Sequence, residues 1–264
     1  MRGPAVALAL LGLAACAGRF PDPTGAREPM PQGYLAPAEL TRLAQAVPPF
    51  PAPGSPEDIA DRAASDAYRA MEDDDRWLMA TAHAEVRPDY AVQHFDCPLG
   101  ARLVQAELPT LKRILERALH DADTASAAAK ARAFRARPIK DDPDRRACVR
   151  LDPGGRDSAS YPSGTATVGA VYGLVIASAA PDAAAGARRI GHEIGVSRAV
   201  CAMHYPADVA AGEALGESLF MAMAADPRFQ ADIVEARREV AAARASGLTN
   251  PGCAAERHAL GAGR

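Results

Sequence analysis

Residues 161–180 read YPSGTATVGAVYGLVIASAA and contain no charged side chain. Apolar and small residues occupy every face of the stretch, so it predicts a helix over 165–180 that is buried all round. Neighbouring segments have the same character. Helical spacing predicts two further helices over 183–202 and 206–225, then an exposed, charged one over 228–245. Upstream, Pro109 opens a helix whose stripe is Leu111, Ile114, Leu115, Ala118 and Leu119. Residues 125–137 continue as an Ala-, Lys- and Arg-rich helix. Ser55-Pro56-Glu57-Asp58 announces another, with Ile59, Ala63, Ala67 and Met71 at helical spacing. Residues 138–162, with four Pro and a Gly pair, predict a long loop. No region alternates as strands do, so the expected fold is all-α, a single helical bundle domain over 56–250, followed by a tail over 251–264.

Composition narrows the function classes. The chain has 264 residues, 48% apolar and 24% charged, with a formal charge of −3. That balance excludes a general nucleic-acid binder, which carries a basic face. Residues 1–15 combine Arg2 with a short apolar run, which reads as an export signal. Leu13-Ala14-Ala15-Cys16 resembles the lipobox of bacterial lipoproteins, in which the cysteine is lipidated. Ala17 after it favours the outer membrane by that resemblance. The expectation is an exported, periplasm-facing lipoprotein anchored through Cys16, with 16–55 as a Pro-rich tether that docks in part as an extended segment. Cys97, Cys148, Cys201 and Cys253 then meet an oxidising compartment, and their three connectivities stay open.

Three short segments carry chemistry. In Lys130-Ala-Arg-Ala-Phe-Arg-Ala-Arg137-Pro138, the outer cations stand seven apart and on one helix would share a face toward one anion. In Tyr161-Pro-Ser163-Gly164-Thr165, Ser163 caps the apolar helix, and Gly164 lets a ligand approach free N–H groups. In Ser197-Arg198-Ala-Val-Cys-Ala-Met-His204-Tyr-Pro-Ala-Asp208, Pro206 opens a helix with His204 just before it and Asp208 in its first turn. A carboxylate there accepts from one imidazole nitrogen and leaves the other free to attack. Each segment alone fits a solvated basic face, a plain cap or a structural hydrogen bond.

Together, in this order, they resemble the phosphatidic-acid-phosphatase type 2 signature: K-x6-RP, PSGH, then SR-x5-H-x3-D. More closely, the chain resembles the bacterial class A nonspecific acid phosphatases, through Phe95-Asp-Cys97-Pro-Leu-Gly100, Ser160-Tyr-Pro-Ser-Gly and Gly191-His-Glu-Ile-Gly-Val-Ser-Arg. The resemblance spans roughly residues 60–225. It implies that His204 attacks phosphorus, that Asp208 orients it, and that Lys130, Arg137, Ser163, Gly164 and Arg198 bind the phosphoryl group. It implies small phosphorylated substrates, no cofactor or metal, an acidic optimum and a homodimer. Thr165 departs from the pattern, because the family has a general-acid histidine there. A threonine hydroxyl is too weak an acid for that role, so activity is expected mainly on good leaving groups. His192 and Glu193 are the candidate replacements. His83, His94, His120 and His258 match no signature position and are read as structural or solvated. The alternative function is phosphate binding without turnover. A vanadate-dependent haloperoxidase, which shares the site, fits the residues less well.

Overall fold

The computed structural model describes residues 32–151 and 153–261. The expected export signal and Cys16 lie outside the described residues. Within them the chain forms helices α1 (Pro37–Ala46), α2 (Pro56–Ala67), α3 (Asp75–His83), α4 (Pro88–Ala91), α5 (Asp96–Leu99) and α6 (Pro109–Lys130). Short α7 (Pro138–Asp141) and α8 (Pro153–Asp157) follow. The long helices α9 (Gly164–Ala179), α10 (Ala184–Val200), α11 (Pro206–Ala224) and α12 (Pro227–Ala245) complete the bundle, with α13 (Cys253–Ala259) after them. The described residues contain no strand, so the fold is all-α. No helix among them is long and apolar enough to cross a membrane.

The starts follow local chemistry. Proline opens α1, α2, α6, α11 and α12, where its missing N–H costs nothing. The Ser55 and Ser163 hydroxyls accept N–H groups from the first turns of α2 and α9. Helix α9 is the central rod. Val168, Val171, Tyr172, Val175 and Ile176 are all buried on it, sharing one core with Ile190, Ile194, Leu215, Leu219 and the α6 stripe. Small residues let its neighbours approach closely. A Cβ at Gly191 of α10 would lie 2.5 Å from the Gly169 carbonyl oxygen, and one at Gly212 of α11 would lie 2.3 Å from that of Ser163. The second contact locks the second turn of α11 against the start of α9, which fixes two parts of the site to one another.

Five expectations change. Residues 37–46 form a helix, not part of a tether, and bury Leu40, Leu43 and Ala44. The strap before it is held by Asp121, which accepts the Tyr34 and Leu35 N–H groups at 2.8 and 3.2 Å. Packed structure therefore begins well before residue 56. Helix α6 ends at Lys130 rather than running to 137. Arg132 donates to the carbonyls of Ala44, Gln45 and Val47, and Arg135 is drawn into three buried carboxylates, so these contacts outweigh the helix propensity of the segment. Pro138 accordingly opens α7 instead of closing a helix. The loop over 138–162 carries α7 and α8, and the tail carries α13. Disulfides join Cys97 to Cys253 and Cys148 to Cys201. The first ties α13 to α5. The second ties the segment after α7 to the end of α10.

Candidate active site

The site forms where four chain segments meet at one end of α9. The end of α6 supplies Lys130, and the extended stretch after it supplies Arg135 and Arg137. Residues 158–163 lead into the α9 N-terminus with Gly164 and Thr165. The last turn of α10 supplies Arg198, and the connection to α11 supplies His204. That connection turns sharply at Ala202, whose φ of 56° is left-handed and unusual for a residue with a Cβ. The turn brings the Met203 and His204 N–H groups onto the Arg198 carbonyl, at 3.0 and 3.2 Å. His204 is thereby fixed beside Arg198.

His204 is 3% exposed. Its Nε2 lies 3.1 Å from Arg137 Nη1. A guanidinium only donates, so Nε2 accepts and carries the lone pair, and Nδ1 carries the hydrogen. Nδ1 faces the Ser160 hydroxyl at 3.4 Å and Asp208 Oδ2 at 3.7 Å. Asp208 therefore reaches the ring chiefly across Ser160, whose hydroxyl donates to Oδ2. The Tyr205 N–H also donates to Oδ2, at 2.8 Å, and Arg135 donates to Oδ1 at 2.6 Å. Burial raises the Asp208 carboxyl, and the His204 ring, the Arg135 guanidinium and the Ser160 hydroxyl outweigh it, holding the group at about 2. Burial, with Arg137 and Lys130 nearby, pulls His204 down to about 3 against the pull of Asp208. The imidazole is thus neutral across the acidic range.

The three signature cations converge on this ring but differ in their partners. Lys130 Nζ donates to the carbonyls of Ala159, Ser160 and Pro162 at 3.0, 2.9 and 2.6 Å. Burial and the Arg137 charge bring it down to about 7. Arg137 donates to the Met203 carbonyl at 2.7 Å and to the Ser158 hydroxyl at 2.9 Å. Arg198 is 8% exposed, and its Nε and Nη1 have no hydrogen-bond partner among the described residues. Burial lowers it to about 10. A buried cation with unused donors is costly unless an anion completes it. Ser163 is fully buried as the α9 cap, and its N–H donates to the Asp208 carbonyl at 2.9 Å. Gly164 and Thr165 are partly exposed at the same helix end. All of the expected phosphate-site residues therefore gather at one place, with Thr165 at its rim.

Several residues at or behind the site carried no role in the sequence reading. Arg135, 3% exposed, binds Asp58, Asp61 and Asp208 at 3.1, 2.7 and 2.6 Å, and its guanidinium sits 4.1 Å from the Tyr205 ring centroid. Its one sequence signal is its place inside the Lys130–Arg137 segment. Ser160 stood in a quoted motif without an assignment. Ser197 is held from outside by Arg76 Nη1 at 2.9 Å and His83 Nδ1 at 2.8 Å, which steadies the turn bearing Arg198. His83 is accordingly a buried structural residue, and His94 packs edge-on to it, ring centroids 5.0 Å apart. The candidate replacement acids are engaged elsewhere: His192 with Glu213 at 2.7 Å, Glu193 with Arg76 at 3.0 Å. No group of three or more His, Cys, Asp or Glu among the described residues is placed to hold a metal.

An all-α bundle that sets a lysine, two arginines and a helix N-terminus around a buried histidine has the arrangement of the phosphatidic-acid-phosphatase type 2 class. No family model matches the chain. It is 33% identical over 202 residues to an acid phosphatase of Zymomonas mobilis, covering 76% of each chain. It is 29% identical over 211 residues to a non-specific acid phosphatase of Salmonella typhimurium, covering 79% of this chain and 84% of that one. A non-specific acid phosphatase of Providencia stuartii is 24% identical over 209 residues, with the same coverage. The chain belongs to the bacterial class A nonspecific acid phosphatase family.

Proposed function

We propose that the protein hydrolyses phosphate monoesters through a phosphohistidine on His204. The observation that carries this reading is the unprotonated Nε2 of a buried imidazole, which accepts from Arg137 and lies beside Arg198 with its unused donors. Nε2 attacks phosphorus in line, a P–N bond forms, and the bond from phosphorus to the leaving oxygen breaks. Lys130, Arg137, Arg198 and the first N–H groups of α9 stabilise the charge spread over the equatorial oxygens. Ser160 and Asp208 take the charge that develops on Nδ1–H. Water then attacks the phosphohistidine, breaks the P–N bond and releases phosphate.

Thr165 sits where an acid would protonate the leaving group, and its side chain makes no hydrogen bond among the described residues. The leaving oxygen must then take its proton from solvent, which favours aryl and other activated esters. The test is a leaving-group series with wild type, His204→Ala and Thr165→His. Wild type should hydrolyse p-nitrophenyl phosphate far faster than alkyl phosphates, and His204→Ala should hydrolyse neither. Thr165→His should raise the alkyl rate by about 10²–10⁴, the usual worth of general acid catalysis. Equal rates on both ester classes in wild type refute the leaving-group reading. Thr165 itself motivates the second reading, phosphate binding without turnover, which a phosphate-binding wild type with no hydrolysis would establish. We also place the protein on the periplasmic side, anchored through Cys16. Cys16→Ala should then move it from the membrane fraction to the soluble one.

A further inference from the structure

Ser126 lies one turn before Lys130 on α6. It is 3% exposed, and its hydroxyl has no hydrogen-bond partner among the described residues. Six helical hydroxyls among the described residues bond back to the carbonyl four residues earlier: Thr41 to Pro37, Thr81 to Trp77, Thr167 to Ser163, Ser178 to Leu174, Ser197 to Glu193 and Ser218 to Ala214, at 2.7–3.2 Å. Ser126 forgoes that bond although burial makes an unmade one expensive.

Its surroundings say why. Residues four apart share a helix face, so Ser126 and Lys130 look the same way. Lys130 grips the carbonyls of residues 159, 160 and 162, which lead straight into the cap of α9. Ser126 faces the next step of that segment. A Cβ built on Gly164 would lie 3.9 Å from its Oγ, in ordinary van der Waals contact, so the buried hydroxyl lies against the start of α9. Arg198, with Nε and Nη1 likewise unpartnered, contributes electrostatically to the same Lys130.

We propose that Ser126 is a substrate-binding residue, whose hydroxyl donates to a phosphoryl oxygen held between the Lys130 ammonium and the Gly164 N–H. The inference rests on reading this site as a phosphoryl site and adds a donor from α6 outside the three signature motifs. Its sign is distinctive. Substrate satisfies the hydroxyl, so Ser126→Ala weakens phosphate binding while removing an unmet polar group from the free protein.

The experiment is calorimetric titration of inorganic phosphate into the full-length chain, with thermal melts of the phosphate-free protein. For Ser126→Ala the expected result is a phosphate Kd raised about tenfold to a hundredfold, as for a hydrogen bond to a charged group, with a melting temperature equal to wild type or higher. A Kd within about twofold of wild type overturns the proposal. So does a lowered melting temperature or failure to fold, since either means the hydroxyl supports the free structure. Wild type that binds phosphate without hydrolysing it leaves this test intact and refutes only turnover. Wild type that binds no phosphate refutes both.

Discussion

Replacing Lys130 by arginine should change the pH dependence of the enzyme more than its chemistry. The argument starts with the nucleophile. An ordinary imidazole titrates near 6.5, so at pH 4 only about 0.3% would be neutral and able to attack. His204, held at about 3 by burial and by Arg137 and Lys130, is about 90% neutral at that pH. Attack is therefore open through the acidic range. The alkaline side is set by Lys130, whose ammonium is pulled to about 7 by burial and by Arg137 and Arg198, against the pull of Asp208. Above that pH the lysine loses its charge and with it one phosphoryl clamp. The sign is a fall in kcat/KM of about tenfold per pH unit above 7. Arginine keeps its charge throughout that range. The substrate's own second ionisation, near about 6, acts identically on both proteins and cancels in their ratio. The assay is kcat/KM for p-nitrophenyl phosphate from about pH 5 to about pH 9 in wild type and Lys130→Arg. The wild-type to variant ratio should stay flat below about pH 7 and fall about tenfold per unit above it. A ratio independent of pH, whatever its size, refutes the assignment.

Two further outcomes are expected. His204 and His83 are each lowered to about 3 by burial, so between about pH 6.5 and pH 3 the unfolded chain binds protons that the folded chain refuses. Stability should then fall with falling pH, by about 1.4 kcal/mol per unit for each of these two histidines, and His83→Gln should reduce the slope by about that amount in urea titrations. Arg135→Met leaves Asp58, Asp61 and Asp208 without their shared buried cation, a loss of about 3–5 kcal/mol or roughly 10 °C in melting temperature. A melt within about 2 °C of wild type would show that solvent, not Arg135, balances those carboxylates.

How much of this was legible in sequence depended on the range of the interactions. The buried rod of α9 and the proline-led starts of α2, α6 and α11 follow from local pattern, and so they match. The signature residues also come together as expected, because each sits at a helix end or in a short connection that its neighbours constrain. Helix α1 was hidden between proline clusters, and what holds its strap, Asp121 of α6, is 87 residues from Tyr34. The end of α6 failed for the same reason. Ala-, Lys- and Arg-rich sequence favours continued helix, and only the distant carbonyls of residues 44–47 and the carboxylates of α2 and α11 say otherwise. Spacing also showed only part of the histidine's support. It gave Asp208 as the partner of the imidazole, 3.7 Å from Nδ1, and did not show that Ser160, 44 residues earlier, adds a hydroxyl to that contact.

Arg135 shows how the site stays charged. Lys130, half-buried, and the buried Arg137 and Arg198 are three cations around one imidazole, and a free carboxylate among them would collapse onto the nearest one. Among the described residues, Asp208 is the only carboxylate hydrogen-bonded to the groups that flank His204, and Arg135 takes its Oδ1 while Ser160 and the Tyr205 N–H take Oδ2. The signature cations are left with neutral partners, namely carbonyls for Lys130 and carbonyls, a hydroxyl and an imidazole for Arg137. Neutral acceptors orient a cation without cancelling its charge. The positive potential that results lowers His204 and Lys130 together, so one arrangement both keeps the nucleophile neutral in acid and favours a doubly charged phosphoryl group. Removing Arg135 should therefore harm the site twice, by freeing Asp208 to neutralise a clamp and by letting His204 regain its proton in the acidic range.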